Sequence, residues 1–225
     1  MNTICIFGAS ISYGAWDREK DGWPNRLRNY FESQDQEIWL YNLSIGGNTS
    51  EHLLSRLKNE AKARTAESPI DLIIFSVGIN DSRYLNSEDN PRVSLDKFKK
   101  NLKALLEQSK EFTEKIIFIG LTKVDELKTA PTIWSKKEYF TNDNISKYNE
   151  AIESFCEENK VFFIKMIDLL DKDDLDKKDG LHPNSKGHEK MFFKIKDFLL
   201  RNQLLDLRNL YKYKRLKYVC LEEYA

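Results

Sequence analysis

The chain has 225 residues, with 36 Lys and Arg set against 36 Asp and Glu, so its formal net charge is zero. That length suits one compact domain, and the zero balance argues against a protein that coats nucleic acid or an anionic membrane, since both need a cationic footprint. Thirteen Phe, ten Tyr and four Trp supply the bulk of a packed core, which excludes a disordered chain even though 32% of the residues are charged.

In chain order, Thr3 to Phe7 is a short apolar, β-branched run ending at Gly8, as expected of a buried strand that feeds a turn. Helical spacing follows at Trp23 to Glu32, a second strand at Ile38 to Leu43, and a helix from Ser50 to Arg64 opened by Thr49 or Ser50. A third strand spans Leu72 to Val77, a helix Leu95 to Phe112 with Ser94 before it, and a fourth strand Ile116 to Leu121. Lys123 to Tyr139 lacks periodicity, carries Pro131 and Trp134, and reads as a loop able to line or cover a site. Asn142 to Asn159 is helical, Val161 to Ile167 is a fifth strand, and a last domain helix runs from beyond Pro183 to about Leu200.

Continuous apolar strands alternating with amphipathic helices predict an α/β doubly wound fold, because each parallel crossover must carry the chain back over the sheet. Residues 1–200 form the expected domain and 201–225 a C-terminal helical extension, with Gln203 to Glu223 read as a further Leu- and Tyr-rich helical stretch. From Arg201 onward six Lys or Arg are interleaved with Tyr211, Tyr213 and Tyr218. That pattern is shared by nucleic-acid binders, but the neutral chain and the lack of a nucleic-acid motif favour packing on the body or on a second subunit, a route to a homo-oligomer. Cys5, Cys156 and Cys220 are too few and too scattered for a disulfide framework or a zinc cluster, and no secretory or membrane-spanning run is visible. The expected location is the cytoplasm.

In open parallel sheets, ligands bind beyond the carboxyl ends of the strands. Gly8-Ala9-Ser10 follows the first strand, Asn42 to Ser50 the second, Gly78-Ile79-Asn80-Asp81 the third, and Asp179-Gly180-Leu181-His182-Pro183 the fifth. Acyl transfer needs this inventory: a serine hydroxyl, an imidazole to remove its proton, a carboxylate to orient the imidazole, and preorganised donors for an oxyanion. Ser10, His182 and Asp179 can fill the first three roles, and the Ser10 N–H, the Gly47 N–H and the Asn80 side-chain amide the fourth. Taken singly, each has a plainer reading: Ser10 as a helix cap, Gly46-Gly47 as a turn, Asn80-Asp81 as turn residues satisfying their own backbone, and Asp179 as one more solvated carboxylate. His52 and His188 fall inside helices, where surface positions are expected.

Together these blocks resemble the SGNH hydrolase superfamily, also called GDSL esterases and lipases, from the first strand to about Leu200. Phe7-Gly8-Ala9-Ser10-Ile11-Ser12 matches the nucleophile block, Gly47 the glycine donor, Asn80 the asparagine donor, and Asp179 with His182 the acid and base three residues apart. The resemblance implies a flavodoxin-like three-layer α/β/α sandwich, a five-stranded parallel sheet ordered 2-1-3-4-5, and no metal or organic cofactor. It also implies a serine esterase or acylhydrolase. Ala9 stands where the family usually has aspartate, a residue that transfers no proton in this mechanism, so its loss should alter the support of the nucleophile turn more than the reaction. A small acyl group on a sugar or simple alcohol is the expected substrate, with Tyr13, Trp16, Tyr84 and Trp134 as lining residues. An acyltransferase of the same fold and a noncatalytic binding module remain as alternatives. A Gly-x-Ser-x-Gly elbow, a phosphate loop and a dinucleotide fingerprint are all absent.

Overall fold

The computed structural model describes residues 2–34, 36–66, 68–87 and 89–207. Five strands form one parallel sheet: β1 (Asn2–Gly8), β2 (Ile38–Asn42), β3 (Leu72–Ser76), β4 (Ile116–Ile119) and β5 (Phe162–Ile164), in the order β2-β1-β3-β4-β5. The order agrees with the doubly wound expectation. β1 lies between β2 and β3, with Ile4 opposite both Leu40 and Leu72 and Gly8 opposite Ser76. Every residue of β1 is buried, which is why Ile4 to Phe7 is a continuous apolar run with no alternation.

The helices are α1 (Ser10–Tyr13), α2 (Gly22–Glu32), α3 (Ser50–Ala63), α4 (Ile79–Ser82), α5 (Leu95–Ser109), α6 (Glu126–Thr129), α7 (Asn142–Asn159) and α8 (Ser185–Arg201). α3, α5 and α7 pack in series on one face of the sheet, while α2 and α8 pair on the other, giving three layers. Side chains lock the helix starts: Thr49 and His52 form a reciprocal capping box on α3, Thr141 accepts from Asn144 N–H, and Asn184 accepts from the N–H groups of Lys186 and Gly187. Phe7, Phe75 and Phe118 stand side by side across β1, β3 and β4, their rings 5.9 and 4.9 Å apart in succession.

Three expectations are corrected. The segment read as a loop from Lys123 to Tyr139 contains α6 and the two-residue strand Glu138–Tyr139, which pairs antiparallel with Tyr84–Leu85. Two residues show no period, and their partner is far away in sequence. His188 is fully buried rather than on the surface. Gln203–Leu207, read as the start of a helix, is not helical. Gln203 has φ +50°, Leu204, Leu205 and Leu207 are buried, and the side chain of Asn2 bonds both the N–H and the carbonyl of Asp206, each at 2.9 Å. The rest of the expected helical extension, residues 208–225, lies outside the described residues. Among the described residues, no helix is long and apolar enough to cross a membrane.

Candidate active site

At the carboxyl end of β1 the chain turns abruptly into α1, and Ser10 is the first residue of that helix. Gly8 makes the turn possible: a Cβ there would stand 2.0 Å from Ser12 Oγ and 2.8 Å from the Ser76 carbonyl oxygen. The loop after β2 is tied to this turn. Asn42 Nδ2 donates to Ser12 O at 2.8 Å, Ser44 Oγ to Ser12 Oγ at 2.8 Å, and Ile45 N–H to Gly8 O at 3.1 Å. Further along the loop, Gly47 sits at φ +76°, a region that favours glycine. Asn80, on α4 after β3, donates through Nδ2 to Asn48 O at 3.0 Å. One of its two amide hydrogens is thereby committed, which fixes the direction of the other.

The fourth block forms a tight loop before α8, closed by Asp176 N–H to His182 O at 2.8 Å and Gly180 N–H to Asp176 O at 2.9 Å. Within it the Asp179 carboxylate accepts from Leu181 N–H at 2.9 Å, His182 N–H at 3.0 Å and His182 Nδ1 at 2.7 Å. Burial opposes ionisation of Asp179, but these donors outweigh it and hold the carboxyl below the usual carboxylate range. Because an ionised carboxylate only accepts, Nδ1 carries the ring proton and Nε2 is left with a lone pair. Nε2 lies 2.8 Å from Ser10 Oγ, 172 residues away in sequence. Oxygen, imidazole and carboxylate thus form one hydrogen-bond chain, in the order that lets a hydroxyl lose its proton as it attacks.

Buried groups surround this chain. Asp81 is fully buried and accepts from Ser50 N–H at 3.0 Å and from Ser50 Oγ at 2.5 Å, while Asn101 Nδ2 reaches Ser50 Oγ at 2.8 Å. Burial pushes the Asp81 carboxyl up to about 6 against the pull of the Ser50 donors. It is therefore more than a turn residue: it binds the start of α3 to α4. His188 Nδ1 accepts from Trp23 N–H at 3.4 Å and its Nε2 donates to Ala15 O at 3.1 Å, just past α1. Burial pulls this imidazole down to about 4. Ala9 is buried with Ile11, Val77, Leu121, Thr122 and Met191 around a cavity of about 20 Å³. Apolar packing supports the nucleophile turn on that side, and no side chain caps α1.

The structure joins Ser10, His182 and Asp179 directly and ties Asn80 to the loop that carries Gly47. The four aromatic residues expected to line the site have contacts of their own. Tyr13 is 62% exposed on α1, Trp16 is partly exposed under the Arg18 guanidinium, Trp134 donates to Glu138, and Tyr84 pairs with Tyr139. Sequence reasoning missed Asp81 as a buried tether and also missed Arg92, whose Nη1 donates to Gly47 O at 3.0 Å. No periodicity or motif marks an arginine 45 residues from the carbonyl it reaches. Among the described residues, no group of three or more His, Cys, Asp or Glu could hold a metal ion. Cys5 and Cys156 are buried free thiols pushed up to about 12 by burial.

Residues 6–190 match the model of the GDSL-like lipase/acylhydrolase family. Among curated proteins, none matches the sequence. Several solved structures share the fold. A lipase/acylhydrolase from Enterococcus faecalis superposes with a TM-score of 0.70 at 20% identity, covering 88% of this chain and 95% of that one. A catalytic mutant of the acetylxylan esterase Axe2 from Geobacillus stearothermophilus gives 0.67 at 18% identity, with 86% and 92% covered. The psychrotrophic esterase EstA from Pseudoalteromonas sp., inhibited by monoethylphosphonate, gives 0.64 at 23% identity, with 88% and 99% covered.

Proposed function

Because this chain belongs to the GDSL-like lipase/acylhydrolase family of carboxylic ester hydrolases, we propose that it is a serine hydrolase that works through an acyl-enzyme on small esters, with acetylated carbohydrates as its substrate class. The observation that carries this reading is the unbroken run from Ser10 Oγ through His182, at 2.8 Å, to Asp179, at 2.7 Å. Ser10 Oγ attacks the ester carbonyl while His182 Nε2 takes its proton, and Asp179 holds the imidazole in the required tautomer and stabilises the imidazolium. The carbonyl oxygen becomes an anion, cradled by the N–H groups of Ser10 and Gly47 and by the free amide hydrogen of Asn80. His182 then protonates the departing alcohol, and a water activated by the same imidazole hydrolyses the acyl-enzyme.

Two features support the substrate class. The acetylxylan esterase shares this fold, and Tyr13, on the same short helix as Ser10, presents an exposed ring against which a sugar can lie.

A fluorophosphonate probe tests the chemistry, with the adduct mapped by mass spectrometry. Labelling at Ser10 that disappears in His182→Ala is expected, together with a fall in kcat on p-nitrophenyl acetate of roughly 10³-fold or more. An unlabelled Ser10 in the wild-type protein, or turnover that survives Ser10→Ala, would overturn the reading. Acetylated xylo-oligosaccharides offered beside longer p-nitrophenyl esters test the substrate class, and free sugar acceptors distinguish hydrolysis from acyl transfer by whether a new ester forms.

A further inference from the structure

The loop that carries Gly47 is thinly supported. A Cβ built on Gly46 or Gly47 would meet nothing within 4 Å, so no side chain packs on that side of either residue. Hydrogen bonds hold the loop instead: Ile45 N–H to Gly8 O at 3.1 Å, Asn48 N–H to Ile45 O at 3.2 Å, Asn80 Nδ2 to Asn48 O at 3.0 Å, Arg56 Nε to Asn48 Oδ1 at 3.1 Å, and Arg92 Nη1 to Gly47 O at 3.0 Å. Among these, Arg92 alone grips Gly47 itself. Among the described residues it forms no ion pair within 4.0 Å, and the acidic group that feels its charge is the buried Asp81 carboxylate, beside Asn80 on α4.

The support behind Arg92 is shared with Asn80. Val93 N–H bonds Asp81 O at 3.2 Å, Arg92 N–H bonds Arg83 O at 2.8 Å, and Pro91 forms a bridge with Tyr84. This ladder runs along the exit of α4, the helix that holds Asn80. Two donors from one rigid support therefore hold successive carbonyls, those of Gly47 and Asn48. Fixing the carbonyl on one side of the Gly47 Cα restricts where the N–H on the other side can point. Glycine at φ +76° is the residue with most freedom to lose that direction.

We propose that Arg92 is a positioning residue for this reaction: its guanidinium fixes the Gly47 peptide so that the Gly47 N–H is already aimed at the oxyanion when the ester is attacked. The inference rests on the serine hydrolase reading above. A donor aimed in advance matters mainly in the transition state, because the charge it meets exists only there.

Arg92→Ala and Arg92→Lys test the proposal on p-nitrophenyl acetate. Direct loss of one oxyanion donor costs about 10²–10³-fold in kcat, so misdirecting one is expected to cost about 10–100-fold, with KM changed less than about twofold. Affinity for a trifluoromethyl ketone, which forms an oxyanion adduct, should fall by the same factor as kcat/KM. Lysine keeps the charge but lacks the planar fork, so Arg92→Lys should recover only part of the rate, and added guanidinium should partly rescue Arg92→Ala. A merely structural role would lower the melting temperature and would not respond to guanidinium.

Kinetics and ketone affinity within about twofold of wild type would overturn the proposal, as would a loss confined to KM, which would make Arg92 a substrate contact instead. If Arg92→Ala fails to fold, Arg92→Lys and Arg92→Gln decide by the same criteria. A wild-type protein left unlabelled by fluorophosphonate defeats the underlying reading. A labelled wild type with an unimpaired Arg92→Ala defeats this inference alone.

Discussion

Two buried titratable residues pull the pH dependence of stability in opposite directions. His188 ionises near 6.5 when free and at about 4 in the fold, so its contribution is complete above 6.5 and is lost as the pH falls toward 4. Protonating Nδ1 would also expel the Trp23 N–H that it accepts. Asp81 is shifted the other way, from 3.8 to about 6, so the folded state binds its proton more tightly and gains stability as the pH falls through that range. Each is worth roughly 3 kcal/mol, and over the shared window they nearly cancel. Denaturant midpoints from pH 4 to 7 should therefore slope weakly from these two groups in the wild type. They should fall with acid in Asp81→Asn and rise with acid in His188→Gln, and parallel slopes in all three would refute both assignments. At Ala9, a serine would give α1 the side-chain cap it lacks. Ala9→Ser should raise stability by about 1 kcal/mol and leave kcat within a few-fold, as read by melting and by p-nitrophenyl acetate turnover. Asp81, Arg92 and His188 were illegible as tethers in the sequence, because the partners that make them so come from other blocks. Ser10 and His182 were legible because each directly follows a recognisable strand or turn.

Among the elements, the central strands were the easiest to read. Ile4 to Phe7, Leu72 to Phe75 and Ile116 to Ile119 are buried on both faces, and that leaves an unbroken apolar signature. The antiparallel ribbon of Tyr84–Leu85 with Glu138–Tyr139 left no comparable trace, since two residues cannot display a period and their register depends on tertiary pairing. The ribbon nonetheless stands behind the site. Arg83 Nη1 bonds Glu138 at 2.5 Å, Glu138 accepts from Trp134, and Arg92 leaves the same ladder toward Gly47. The aromatic row across the sheet gives an element-scale test. Phe75 is fully buried between Phe7 and Phe118, so Phe75→Ala should cost about 3–5 kcal/mol in equilibrium unfolding. A cost under about 1 kcal/mol would mean that the row does not hold the sheet together.

At the scale of the molecule, sheet order and layering follow from the alternation of strands and helices, while the course of the chain after α8 did not. Leucine-rich spacing from Gln203 suggested a helix, but the buried Leu204, Leu205 and Leu207 are used in an irregular strap against the domain, fastened by Asn2. Cutting the chain after Asn202 should lower stability by several kcal/mol, since each fully buried leucine is worth about 1.5–3 kcal/mol, whereas cutting after Leu207 leaves the strap in place. Thermal melts of the two truncations decide this. The clasp between Asn2 and Asp206 also makes the described backbone almost a ring. A short peptide could splice the two together and new ends could be opened at another exposed loop, giving a permuted enzyme with the same sheet. The splice would sit beside the first residue of β1, at the pole opposite Ser10, so an immobilised or fused form joined there would keep the proposed site facing the solvent.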